Sequence, residues 1–182
     1  VHLKKQGKLP SNTLVATVMS NMGLDIAMKK QGIDLIKTKV GDRYVLEKMR
    51  EENHLLGGEQ SGHVILRSFN TTGDGELTAL QVLSAMVHAK STLSKLAGVM
   101  QIMPQSLYGA HVNDVNKYTF DQNPRVKQRM DELEKKYEGR GRLLIRASGT
   151  EPLVRVMIEG PNQREIDRDV YSMAKLIEKE LM

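Results

Sequence analysis

An apolar, β-branched run, residues 13–19 (TLVATVM), is followed after one helix-length segment by a second extended run, residues 33–39 (IDLIKTK). This spacing constrains the fold more than any other feature of the chain. The first run reads as a buried strand, and the second alternates in polarity as a strand does. Between them, Asn21 is suited to cap a helix that runs to Gln31, and Gly32 to stop it. The pattern then repeats. Residues 42–53 read as a helix with Val45, Leu46 and Met49 on one face. Leu55-Leu56 open a short strand, residues 57–63 (GGEQSGH) form a loop, and residues 63–66 return as another strand. Asp74 can cap a helix through Ala89, with a further helical stretch over residues 91–100. Strands alternating with helices predict an α/β domain, a mixed sheet with helices, over residues 1–102.

The pattern changes near Met103-Pro104. Residues 107–115 read as a strand, and Asn123-Pro124 open a charged helix to Tyr137, with Pro124 suited to its first turn. Residues 141–147 (GRLLIRA) and 153–159 (LVRVMIE) read as strands around the turn Ser148-Gly149-Thr150. Pro161-Asn162 start a terminal helix to about Leu181. This order predicts a second, small α+β domain over residues 106–182, an antiparallel sheet with two helices.

Composition narrows the function. The chain is 40% hydrophobic with no Trp and no Cys, so its cores are aliphatic and Met-filled, and thiolate metal sites and disulfides are excluded. A cysteine-free chain fits a cytoplasmic protein. No apolar stretch approaches the ~20 residues of a membrane span. The net charge of +5 invites a nucleic-acid partner, but it divides as +4 over residues 1–100 and +1 over the rest, with no dense basic run and few aromatics. A mildly basic surface explains it better. The other histidines, His2, His54, His88 and His111, lack metal-ligand spacing. Thr72-Gly73-Asp74-Gly75-Glu76 lacks the alternating acids of a calcium loop, and helix capping explains Asp74. The sequon at Asn70-Thr71-Thr72 reads as chance.

Two loops carry candidate chemistry. In residues 57–63, glycines bracket a carboxylate (Glu59), an amide, a hydroxyl (Ser61) and an imidazole (His63). An acceptor-only carboxylate suits the adjacent hydroxyls of a sugar, or an ammonium. The alternative is a polar hairpin loop with Glu59 facing solvent. In residues 146–152 (RASGTEP), Arg146 can offer a bidentate fork to phosphate, Ser148 and Thr150 offer hydroxyls, and Gly149 lets backbone N–H groups turn toward one anion; Arg155 follows. The alternative is a hairpin turn in which the arginine pairs with Glu151.

Together, GGEQSGH at 57–63 and RASGTEPLVRV at 146–156 resemble the sugar-binding and phosphate-binding loops of the α-D-phosphohexomutases, in the same order and separation. Residues 17–21 (TVMSN) and 38–44 (TKVGDRY) resemble the segments that precede the sugar loop in that family, and the likeness covers nearly the whole chain. Gln60, with residues 41–44, resembles the branch acting on glucosamine phosphates more than those acting on mannose or glucose phosphates. The resemblance implies four domains in the intact protein. The first holds a phosphorylated serine, the second an aspartate-rich loop binding Mg2+, and the third and fourth the sugar and phosphate loops. This chain resembles the third and fourth alone, and its first residues resemble the tail of a helix. The missing N-terminal domains of the same protein would then be its partners, the catalytic serine and metal ligands would lie outside it, and the chain alone would be inactive. The implied reaction, a step toward cell-wall precursors, interconverts glucosamine 6-phosphate and glucosamine 1-phosphate, with glucosamine 1,6-bisphosphate as intermediate. The implied roles are Glu59 and Ser61 on sugar hydroxyls, and His63 on proton transfer or phosphate. Arg146, Ser148, Gly149 and Thr150 would cradle the non-reacting phosphate, with Arg155 in support and Asp42 and Arg43 at a turn approaching substrate. A homodimer is compatible with this reading. The rival expectations are a mannose or glucose phosphate mutase, and a stand-alone phosphosugar-binding module.

Overall fold

A computed structural model describes residues 1–182, which divide into two compact units, Val1–Ile102 and Met103–Met182. In the first unit, helix α1 (His2–Lys5) leads into strand β1 (Thr13–Thr17), helix α2 (Met22–Lys30), strand β2 (Asp34–Thr38) and helix α3 (Asp42–Glu51). A hairpin of strands β3 (Leu56–Gly58) and β4 (Val64–Leu66) follows, and then helices α4 (Gly75–Ala89) and α5 (Leu93–Ala97). The sheet order is β2-β1-β3-β4. The first three strands are parallel and β4 is antiparallel to β3, so the sheet is mixed as its sequence predicts.

Side chains alternate across a strand, and here both faces are covered. Leu14, Leu35 and Leu56 face a layer containing Leu24, Ala27 and Met28 of α2. Val15, Ile36 and Ile65 face Val45, Leu46 and Met49 of α3. The caps expected from sequence are made. The Asn21 side chain accepts from the Gly23 N–H, the Asp74 side chain from the Leu77 N–H, and Gly32 ends α2 at φ 60°. The expected helical stretch over residues 91–100 is shorter than its pattern, because α5 stops before Gly98. No helix is long and apolar enough to cross a membrane.

The second unit contains strand β5 (Gln105–His111), helix α6 (Pro124–Tyr137), strands β6 (Arg142–Ala147) and β7 (Leu153–Glu159), and helix α7 (Gln163–Leu181). The sheet is antiparallel, in the order β5-β7-β6. Val154, Val156 and Ile158 of β7 pack with Val126, Leu133 and Tyr137 of α6 and with Ile166, Val170, Met173 and Ile177 of α7. Asn123 caps α6 with Pro124 in its first turn, as expected. The first strand ends at His111 rather than Val115. Asn113, Asp114 and Asn116 favour turns, and the chain forms short 3₁₀ turns at Asn116–Tyr118 and Phe120–Gln122 instead.

Two positions test this packing. A Cβ at Gly57 would lie 2.4 Å from Met49 Sδ and 2.7 Å from Val45 Cγ1. Gly57→Ala should therefore destabilise the chain by about 1–3 kcal/mol, read as a lower urea midpoint. Between α6 and α7, Asp169 is buried, accepting from Lys136 Nζ at 2.5 Å and Tyr137 Oη at 2.8 Å. Burial is the largest single influence and opposes its ionisation, but these two bonds together with the positive charges of Lys136 and Arg168 outweigh it and hold the carboxyl below its ordinary range. A depressed folded value means stability present above the unfolded value and lost as pH falls through the folded one. The urea midpoint should drop between about pH 5 and pH 2, and less steeply in Asp169→Asn.

Candidate functional site

Strand β1 lies between β2 and β3, so the chain moves one way across the sheet from β1 to β2 and then crosses back to β3. The sheet therefore reverses its winding beside β1. In open α/β sheets, ligands bind outside the carboxyl ends of the strands at such a point. The loops after β1, β2 and β3 converge there, and Thr17, Met19, Val40, Glu59, Gln60 and Ser61 line a shallow depression of about 250 Å³.

The loop of residues 57–63 is the β3–β4 hairpin turn. The Glu59 N–H donates to the His63 carbonyl at 2.8 Å, and the Gly62 N–H to the Glu59 carbonyl at 3.1 Å. Gly62 takes φ 102°, which only glycine adopts without strain. Glu59 does not face solvent. Its side chain is 11% exposed, and Oε1 accepts from the Gly41 backbone N–H at 3.0 Å, at the start of α3. That bond ties the loop after β3 to the loop after β2. It leaves Oε2, which lies 4.0 Å from His63 Nδ1, while Ser61 Oγ is 3.0 Å from the same nitrogen. Glu59, Ser61 and His63 thus form one group with an exposed imidazole. Asp42 and Arg43 sit beside it in the first turn of α3. Asp42 accepts from the Arg43 N–H, and the Arg43 guanidinium pairs with Glu47 at 2.8 Å, directed along its own helix. The role of the Gly41 backbone was not legible in the sequence. The one hint was a glycine just before a helix that begins with Asp.

The second loop joins β6 to β7. Arg146 and Arg155 stand directly opposite one another in this ladder. Like charges in that position repel. Glu151 neutralises only one of them, pairing with Arg155 at 2.7 Å, so the pairing with Glu151 belongs to Arg155 and not to Arg146. Arg146 has no carboxylate partner. Burial, and after it the Arg155 guanidinium, lowers its pKa, while an arginine still remains cationic. Ser148 is buried, and its N–H donates to the Leu153 carbonyl at 2.9 Å. Gly149 and Thr150 form the exposed tip. Gly149 is not in the left-handed region, and a Cβ there would meet nothing within 4 Å, so its contribution is open space for close approach. The turn therefore presents a partnerless guanidinium, the Thr150 hydroxyl and an uncrowded backbone, a set suited to a phosphate, with Ser148 buried behind it. Nowhere in the chain do three or more His, Cys, Asp or Glu side chains gather as a metal site would require, so these residues do not fit a magnesium cage.

The family model for phosphoglucomutase/phosphomannomutase, alpha/beta/alpha domain III, matches residues 1–103, and that for the C-terminal domain matches residues 110–175. The chain belongs to the phosphoglucomutase/phosphomannomutase family. It is 53% identical over 179 residues to the phosphoglucosamine mutase of Clostridium botulinum (strain Kyoto / Type A2), covering 98% of this chain and 40% of that protein. The chain thus spans about 40% of the length of the curated relatives it matches. Among solved structures, an Aspergillus fumigatus N-acetylphosphoglucosamine mutase superposes with a TM-score of 0.80 at 19% identity, over 98% of this chain and 42% of that one. The Aspergillus fumigatus enzyme in complex with GlcNAc-6P and magnesium gives 0.70 at 18% identity, over 91% and 41% of the two chains. Both likenesses establish the fold.

The Glu59–Gly41 bond makes a prediction about the site's order. Glu59→Ala should release the loop after β2 from the loop after β3, so that the Gly41 and Gly62 amides exchange with solvent faster. Hydrogen exchange by NMR reads this, and unchanged rates would show that the carboxylate does not hold the site together.

Proposed function

We propose that this chain is the substrate-binding, C-terminal part of a longer phosphoglucosamine mutase. The observation that carries the reading is Arg146, a guanidinium without a carboxylate, facing a second arginine across the strands beside a turn of hydroxyls and open backbone. A phosphate placed there would supply the charge that Glu151 gives to Arg155 alone, and the planar fork of Arg146 matches two of its oxygens. The 53% identity to a phosphoglucosamine mutase supports an amino-sugar phosphate as the ligand.

In this reading Arg146, Ser148, Gly149 and Thr150 hold the non-reacting phosphate, with Arg155 in support. Glu59 Oε2 and Ser61 Oγ hold sugar hydroxyls, and His63 assists proton transfer or binds phosphate. Asp42 and Arg43 border the sugar. A phosphoserine in the remainder of the polypeptide gives its phosphoryl group to the free hydroxyl of glucosamine 6-phosphate. The resulting glucosamine 1,6-bisphosphate turns over, returns its other phosphoryl group to the serine, and leaves glucosamine 1-phosphate. Such a reaction needs the sugar bound in both orientations, and positioning contributes much of such catalysis. Magnesium, which accompanies GlcNAc-6P in the Aspergillus fumigatus complex, would be held outside this chain. On this reading the chain by itself binds phosphosugar without turning it over.

Arg146→Lys in the longer enzyme tests the assignment. An ammonium cannot replace the bidentate fork, so kcat/KM for glucosamine 6-phosphate should fall at least about tenfold. A value equal to that of the unmodified enzyme would remove Arg146 from the phosphate site. Comparing turnover of glucosamine, mannose and glucose phosphates separates this reading from its sister specificities.

A further inference from the structure

Lys117 is a buried cation that neither candidate loop contains. Its side chain is only 8% exposed, although it lies in a short 3₁₀ turn. Lysines are almost never this buried without a reason in their surroundings, because the ammonium loses its water. Its carboxylate partner, Asp114, at 2.9 Å, is itself 74% exposed and does not require the lysine to be buried. The inward contact is different. Lys117 Nζ donates to the backbone carbonyl of Glu151 at 3.3 Å, within the turn that carries Ser148, Gly149 and Thr150.

Neighbouring bonds act on the same limb of that turn. The Val112 N–H donates to the Pro152 carbonyl at 3.1 Å, and Arg155 holds the Glu151 side chain at 2.7 Å. Residues 112–117 are fixed in turn to the end of α7, since the Asn113 side chain donates to the Met182 carbonyl at 2.9 Å and the Asn116 side chain to the Leu181 carbonyl at 3.0 Å. The segment therefore braces the outgoing limb of the turn against the last helix, and Lys117 is its only charged strut.

We infer that Lys117 is a positioning residue for the phosphate turn, holding the Glu151 carbonyl so that the Gly149-Thr150 tip and Arg146 converge on one anion. This rests on the phosphate-site reading above. It acts through the loop and touches no ligand.

The test uses the 182-residue chain with inorganic phosphate and, separately, glucosamine 6-phosphate as probes, titrated by calorimetry well below the thermal midpoints of all variants. Lys117→Met keeps the aliphatic stem and removes the donor and charge. It should bind both probes about tenfold more weakly, the equivalent of one charge-assisted hydrogen bond, while the thermal midpoint holds or rises. A purely structural lysine would instead lower the midpoint and leave the affinity of the folded protein unchanged, and that result overturns the inference. If Lys117→Met does not fold, Lys117→Gln replaces it and must weaken binding in the same direction; wild-type affinity in that variant also overturns the inference. Arg146→Ala is measured in parallel. If it binds phosphate as tightly as the unmodified chain, or if neither binds, the phosphate-site reading itself fails and this inference with it. Loss in Arg146→Ala with wild-type affinity in the Lys117 variants removes Lys117 alone.

Discussion

Strand β1 has a parallel partner on each side and an apolar layer over each face, and the candidate sugar site is a consequence of that position. A strand buried on both faces must be apolar on both, as Leu14 and Val15 are. Its neighbours must then arrive by crossovers, since parallel strands cannot be joined by a tight turn. One crossover runs through α2 on one face and the next through α3 on the other. The loops they leave at the carboxyl ends of β1, β2 and β3 meet beside β1. Gly57 permits this arrangement where β3 meets α3, because Met49 and Val45 of α3 occupy the space where a side chain would stand. Gly57 is therefore set by packing, and the hairpin loop beyond Gly58 carries the polar groups.

Glu59 shows how far such a loop is built into the fold. A carboxylate on a hairpin tip ordinarily points to water, yet one of its oxygens is committed to the Gly41 N–H. The start of α3 is a favourable place for negative charge, since its first N–H groups lack partners within the helix. Glu59 satisfies one of them and joins two loops that lie far apart in the chain.

The second unit reaches its chemistry by different means. Its turn follows from an antiparallel ladder whose register sets Arg146 against Arg155. Such a pair is unfavourable unless something neutralises it, and Glu151 serves only Arg155. The charge pattern of this turn is unbalanced by one guanidinium, whereas Lys136 of α6 is matched by both Asp169 and Glu165. The bracing of the turn by residues 112–117 depends on the end of α7, so the terminal helix supports the loop at the opposite end of the sequence interval as well as the core.

Much of this was legible in the sequence because it is local. The caps at Asn21 and Asp74, the helix start at Asn123-Pro124, the stop at Gly32 and the alternation of strands with helices depend on residues within one or two turns of each other, and they appear where expected. The strand expected to reach Val115 was misread because apolar residues at 112 and 115 continue a strand pattern, while the competing signal came from the asparagines between and after them. The two loops were likewise legible as compositions able to meet a sugar or a phosphate. Composition could not say which arginine holds Glu151, that Glu59 turns inward to Gly41, or that Lys117 is buried. Those outcomes depend on strand register and on contacts between segments many residues apart, which the sequence encodes only through the packing of the whole unit. The sequence alone determined the elements, their order and the chemistry available in each loop; the tertiary structure decided which of those groups are already satisfied and which remain available to a ligand, because a hydrogen bond or ion pair exists only once distant residues have been brought together.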